Sequence, residues 1–177
     1  EAVSHYMKRR FQVDLDPATQ ILPTSGAKEA IFHMPLLVID PTAEDRTVVF
    51  PDPGYPGYRR GTLFAGGTPH PQTLSGDFKH RPWELPPEVL QSCRLLWLNS
   101  PHNPSGSLMD LADLQRIHSL CLEHNILVVN DECYADIYGD QRPHSLLEAG
   151  MKNALVLHSL SKRSGMTGYR SGFVAGD

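Results

Sequence analysis

Short runs rich in β-forming residues recur along this chain, and the stretches between them carry helical patterning. The runs are Gln20-Ile21-Leu22-Pro23, Thr47-Val48-Val49-Phe50, Arg94-Leu95-Leu96-Trp97-Leu98, Ile126-Leu127-Val128-Val129-Asn130 and Ala154-Leu155-Val156-Leu157-His158. Such alternation predicts an α/β fold with a mostly parallel central sheet. The middle runs are apolar at successive positions, as interior strands are when helices cover both faces, so a three-layer sandwich is expected. Between them, Leu111, Leu114, Ile117, Cys121 and Leu122 fall at helical spacing, with Asp110 as N-cap and Asp113 in the first turn. A second helix is expected from about Ala27 to Ile39, bent at Pro35, where a backbone donor is missing.

Proline and glycine concentrate in Pro51-Asp52-Pro53-Gly54-Tyr55-Pro56-Gly57 and in Ser100-Pro101-His102-Asn103-Pro104-Ser105-Gly106, each straight after a predicted strand. In α/β sheets ligands bind where strand C-termini open into such loops. Composition enters mainly through what it excludes. At 177 residues, 40% hydrophobic and 20% charged, the chain can build one core. A net charge of −4, with Lys8-Arg9-Arg10 as its one short basic run, gives no footprint for nucleic acid or an anionic membrane. Three widely spaced cysteines without a CxxC pair, and nine scattered histidines, indicate neither a disulfide framework nor a metal site. No apolar run approaches the roughly 20 residues of a membrane span, and the N-terminus lacks a signal-peptide pattern, so a reducing cytoplasm is expected.

Four segments follow predicted strands in order: Ser25-Gly26-Ala27-Lys28, Ser100 to Gly106, Asp131-Glu132-Cys133-Tyr134, and Ser159-Leu160-Ser161-Lys162 continuing to Arg170. Each alone is a weak signal, but their joint order and spacing resemble the class I/II aminotransferases, fold type I enzymes that depend on pyridoxal 5′-phosphate (PLP), over essentially the whole chain. The resemblance implies that residues 1–177 are a partial PLP-binding large domain, with an N-terminal segment and a C-terminal small domain outside them. It also implies a homodimer in the full-length protein, with a small-molecule amino donor and a keto-acid acceptor as substrates.

The same resemblance assigns roles. Lys162 is expected to carry the cofactor as a Schiff base and, once displaced, to shuttle the proton at the substrate Cα. Asp131 matches the carboxylate that keeps the pyridine nitrogen protonated. Tyr134 and Asn103 match the partners of the ring 3′-oxygen, and Tyr55 the aromatic that stacks on the ring. For the phosphate, Gly26, Ala27 and Lys28 open a predicted helix whose free N–H groups attract anions. Arg170 supplies a guanidinium fork there, and Ser159 and Ser161 supply hydroxyls.

Each residue also has a plainer reading. A lone lysine usually sits on a solvated surface. Asp131 could cap a strand end, and Tyr55 or Tyr134 could be core residues with satisfied hydroxyls. The ordered set of four segments is what favours the functional readings. The stretch His158-Ser159-Leu160-Ser161-Lys162-Arg163-Ser164 and the end Arg170 to Asp177 resemble the N-succinyl-L,L-diaminopimelate aminotransferases of bacterial lysine biosynthesis. Aspartate, aromatic and L,L-diaminopimelate aminotransferases and PLP β-lyases share the same ring contacts and stay open. So does an effector-sensing domain of a transcription regulator, which a basic winged-helix segment would precede. A catalytically dead binding domain is disfavoured by the retained lysine, aspartate, tyrosine and arginine.

Overall fold

A computed structural model describes residues 1–177. Helix α1 (Ala2–Phe11) leads into strand β1 (Ile21–Thr24), helix α2 (Ala27–Val38), strand β2 (Thr47–Asp52), helix α3 (Pro56–Phe64) and strand β3 (Thr68–Thr73). Helix α4 (Pro87–Ser92), strand β4 (Cys93–Asn99), helix α5 (Leu111–Glu123), strand β5 (Leu127–Asp131), strand β6 (Ala154–Ser159), the single-turn helix α6 (Leu160–Arg163) and strand β7 (Gly172–Gly176) complete the chain. The strands form one seven-stranded sheet in the order β1-β7-β6-β5-β4-β2-β3. From β3 to β6 all pairing is parallel, while β7 runs antiparallel to both its neighbours.

The unbroken apolar runs are explained by burial on two faces. Along β4, Leu96 and Leu98 join the core under α1, α4 and α5, whereas Leu95 and Trp97 join the core under α2 and α3. Along β5, Val128 and Val129 divide the same way. Burying each such side chain stabilises the fold by roughly 1.5–3 kcal/mol, so both helical layers are needed. This is the three-layer α/β sandwich that the sequence predicts.

Local chemistry sets the helix ends. Asp110 caps α5 by accepting from the Asp113 backbone N–H at 2.8 Å, and Lys79 reaches both carboxylates, at 3.1 and 2.6 Å. Helix α2 continues past Pro35 to Val38 as one element. Its missing donor frees the Ile31 carbonyl, and Gly61 of α3 lies against that turn: a Cβ there would stand 3.0 Å from the Phe32 carbonyl oxygen and 3.2 Å from that of Ile31. A side chain at position 61 would push the two helices apart.

Behind the ends of β5 and β6 lies a buried polar cluster. Glu132, 1% exposed, accepts on Oε1 from Asn130 Nδ2 (3.0 Å), Ser145 Oγ (3.0 Å) and the Leu146 N–H (2.8 Å), and pairs through Oε2 with His158 Nε2 at 3.0 Å. His158 is held edge-on to Tyr6 and stacked on Phe173, with ring centroids 5.7 and 4.9 Å away. Glu132→Ala leaves four buried groups short of a partner and should lower stability by about 3 kcal/mol. Urea unfolding at neutral pH reads this directly; a loss under about 1 kcal/mol would mean that the cluster is not structural.

Candidate active site

Parallel pairing brings the C-terminal ends of neighbouring strands together, so Asn99 of β4 lies opposite Asp131 of β5, and Asp131 opposite Leu157 of β6. At this edge, near the start of α2, the structure forms a cavity of about 440 Å³, within the usual range for a small-molecule site. Ala27, Lys28, Tyr55, Asn103, Asp131, Tyr134, Ser159, Ser161, Lys162 and Arg170 all line it, joined by Ile31, Cys133 and Thr167. Gly26, the remaining residue singled out in the sequence, stands at the N-cap of α2 beside them.

One end of the cavity is acidic and dry. Asp131 closes β5 and is 6% exposed; its Oδ1 accepts from the Cys133 N–H at 3.2 Å and its Oδ2 from the Tyr58 hydroxyl at 3.0 Å. Burial pushes its carboxyl above the usual range, while the bonds from Cys133 and Tyr58 and the neighbouring His158 pull the other way. No lysine, arginine or histidine forms an ion pair with it. A buried carboxylate supplied only with neutral donors favours a cationic ligand. Tyr134 is half-buried, and burial, followed by the charge of Asp131, raises its phenol, so it meets a ligand as a donor. Asn99 ties the two loops together: its Nδ2 donates to the carbonyls of Pro101 (3.1 Å) and Asp131 (2.9 Å), and its Oδ1 accepts from the Asn103 N–H at 2.8 Å. That latch sets where Asn103 enters the cavity.

The other end is cationic. Gly26 begins α2 at φ 79°, a conformation open to glycine, and no side chain caps the helix, leaving its first N–H groups for a ligand. Arg170, itself left-handed at φ 47°, donates to the Ser25 carbonyl (2.9 Å), the Thr167 carbonyl (3.1 Å) and Ser161 Oγ (3.4 Å). A Cβ at position 26 would displace the guanidinium, and the positive φ itself favours glycine. Guanidinium and helix terminus together form an anion seat. The Ser159 hydroxyl accepts from the Ser161 N–H at 3.1 Å, capping α6, and donates to the Ser171 carbonyl at a long 3.5 Å.

Lys162 lies on α6 between the two ends, exposed, with Nζ in no hydrogen bond or ion pair. Its turn is pinned from behind. Arg163 Nε pairs with Asp136 at 3.1 Å and its guanidinium lies 4.3 Å over the Tyr6 ring; the same carboxylate takes Arg10 Nε and the Tyr6 hydroxyl, both at 3.0 Å. Tyr55 stands at the N-cap of α3 and lines the cavity.

Sequence reasoning missed Tyr58. It is fully buried, stacked on Trp97 (centroids 5.1 Å apart, planes 23° apart) and bonded to Asp131. A usable signal existed: Pro56 sits at the first position of α3, so Tyr55 and Tyr58 fall one turn apart at the start of a helix. The Pro-Gly punctuation around them reads more readily as a loop.

The chain is similar to known proteins along its whole length. The family model described as aminotransferase class I and II matches residues 1–177. Curated relatives named LL-diaminopimelate aminotransferase include those of Aquifex aeolicus, 38% identical over 182 residues, and of Trichormus variabilis, 40% identical over 183 residues. Each match covers 100% of this chain and 46% of the relative. The solved structure of a probable N-succinyldiaminopimelate aminotransferase from Thermus thermophilus superposes with a TM-score of 0.93 at 26% identity, covering 99% of this chain and 47% of that one. The chain thus spans about half the length of the curated relatives it matches.

Proposed function

Because this chain belongs to the class I and II aminotransferases, we propose that the whole protein moves an amino group between glutamate and a keto acid of the diaminopimelate type, with PLP in the cavity at the strand ends. The observation that carries this reading is the polarity of the cavity: a buried carboxylate without a cation at one end, an anion seat at the other, and a free amine between them. A flat molecule with a cationic ring atom and a phosphate suits that polarity. When bound, PLP supplies an electron sink for charge developing at the substrate Cα.

The chain's own residues do the rest. Asp131 holds a proton at the ring nitrogen, and Tyr134 and Asn103 donate toward the ring oxygen. Tyr55 would stack on the ring. Arg170, the α2 terminus and the Ser161 hydroxyl hold the phosphate. Lys162 Nζ would hold the cofactor and, as a free amine, would take up and return the proton at the substrate Cα. The one guanidinium of the cavity is held at the anion seat, which leaves the substrate α-carboxylate to another cation. We read residues 1–177 as part of a large domain that works in a homodimer beside a small domain. Three free thiols and the biosynthetic role of the proposed substrate go with a cytoplasmic location.

Of the two diaminopimelate substrates, the free diamine is favoured, since the relatives named for it are 38–40% identical and the structure named for the succinylated one is 26% identical. Purified full-length protein with 2-oxoglutarate should deaminate L,L-diaminopimelate at least tenfold faster, by kcat/KM, than its N-succinyl derivative. The reverse order would restore the subgroup suggested by the Ser159 to Ser164 stretch, and inactivity toward both would sink the diaminopimelate assignment. Arg170→Ala should raise the PLP dissociation constant by about tenfold to a hundredfold, as expected for losing a charge-assisted contact, with kcat at saturating PLP changing much less. Absorbance titration of the cofactor-free enzyme measures it, and an unchanged constant would move the phosphate away from α2.

A further inference from the structure

We propose that Tyr58 is a positioning residue for the cofactor ring: its hydroxyl fixes the Asp131 carboxylate in the plane and ionised form in which it meets the ring nitrogen. The inference rests on the reading of the cavity as a PLP site. It names a group that touches neither cofactor nor substrate.

The geometry leaves the phenol little freedom. Tyr58 is 0% exposed, sandwiched between the Trp97 ring on β4 and the edge of Tyr55, whose centroid is 5.8 Å away at 80°. Its backbone is tied at both ends: the N–H donates to the Tyr55 carbonyl at 3.2 Å, and the carbonyl accepts from Thr62 Oγ1 at 2.8 Å. The hydroxyl therefore reaches Asp131 Oδ2 from a fixed origin, at 3.0 Å. The second carboxylate oxygen accepts the Cys133 N–H at a longer 3.2 Å. Two donors, one on each oxygen, set the rotation of the carboxylate and leave a lone pair on each for a ligand. Burial and the charge of Asp131 hold the phenol far above its usual value, so it stays a donor at every pH at which the enzyme works.

Without the hydroxyl, a desolvated carboxylate loses one of its two donors, which disfavours its charged form. The ring nitrogen would then face a carboxyl that is less ionised and free to turn. Trp97 would keep its stacking partner, because phenylalanine fills the same space.

The test uses the full-length enzyme. Tyr58→Phe should raise the PLP dissociation constant and lower kcat at saturating PLP, each by about tenfold, the size of one hydrogen bond to a charged group, with the KM of the amino donor within twofold. In an Asp131→Asn background the same substitution should change neither quantity by more than twofold. 3-Fluorotyrosine at position 58, a stronger donor of the same shape, should tighten PLP binding, which covers the case in which the phenylalanine variant folds poorly. Equal penalties in both backgrounds, or no movement of affinity from either replacement, would overturn the proposal. Asp131→Asn alone is the control for the underlying reading: if it leaves rate and affinity unchanged, the PLP assignment of Asp131 fails, whereas a strong Asp131→Asn effect beside a silent Tyr58 sinks only the positioning role.

Discussion

Lys162→Ala in the full-length protein is expected to lower turnover by roughly four orders of magnitude if, as proposed, one amine serves as both covalent anchor and proton carrier. Two amines reach the cavity, those of Lys28 and Lys162. Lys28 sits in the first turn of α2, on the anion side. Lys162 stands on α6, with a free Nζ and a turn anchored by Arg163 through Asp136 and Tyr6. Borohydride reduction of the cofactor-loaded enzyme followed by peptide mapping should place the pyridoxyl group on Lys162, and the Lys162→Ala protein should take up no label. A label on Lys28 or Lys152 would show the assignment to be wrong.

The parts of the fold that were legible in the sequence are those where one local force dominates. Strands β2, β4, β5 and β6 announce themselves because burial on both faces demands consecutive apolar residues, and α5 because Asp110 and the apolar stripe agree. Strand β3, Thr68-Pro69-His70-Pro71-Gln72-Thr73, was illegible: it has two prolines and no apolar run, and it is tolerated because it is an edge strand with one side free of ladder partners. The antiparallel direction of β7 was equally hidden, since direction depends on the length and path of the connection from α6 and on no pattern within Gly172–Gly176.

The grouping of the candidate residues around one cavity was legible for a related reason. Its residues sit on strand ends and helix starts, where the chain order of Gly26, Asn103, Asp131, Lys162 and Arg170 survives into space. What escaped was support from the layer beneath. Tyr58 reaches Asp131 across 73 residues of sequence, and Glu132 turns away from the cavity although it adjoins Asp131. In a strand, neighbouring side chains point to opposite faces, so of the Asp131-Glu132 pair one carboxylate faces the cavity and the other has to be satisfied inside the core. Only the structure shows that the Glu132 partners are Asn130, Ser145, Leu146 and His158.

Asp131→Asn should separate holding the cofactor from using it. The amide keeps the shape of the carboxylate and can still accept from Tyr58, and Arg170 with the α2 terminus is untouched, so PLP stoichiometry should remain near one per chain, with weaker affinity. The charge is what disappears. A desolvated carboxylate facing a ring cation is a pair whose disruption costs about 3–5 kcal/mol, and to the extent that this favours the transition state, kcat should fall by two to three orders of magnitude. The KM of the amino donor should move far less, because substrate recognition does not pass through Asp131. Arg170→Ala is expected to behave in the opposite way, losing affinity while keeping rate at saturating cofactor. Measuring kcat, KM and PLP affinity for both variants therefore tests the polarity of the cavity as well as its individual residues. If Asp131→Asn kept its rate, the acidic end would be serving the fold alone, and the partner of the ring nitrogen would have to be sought elsewhere in the cavity.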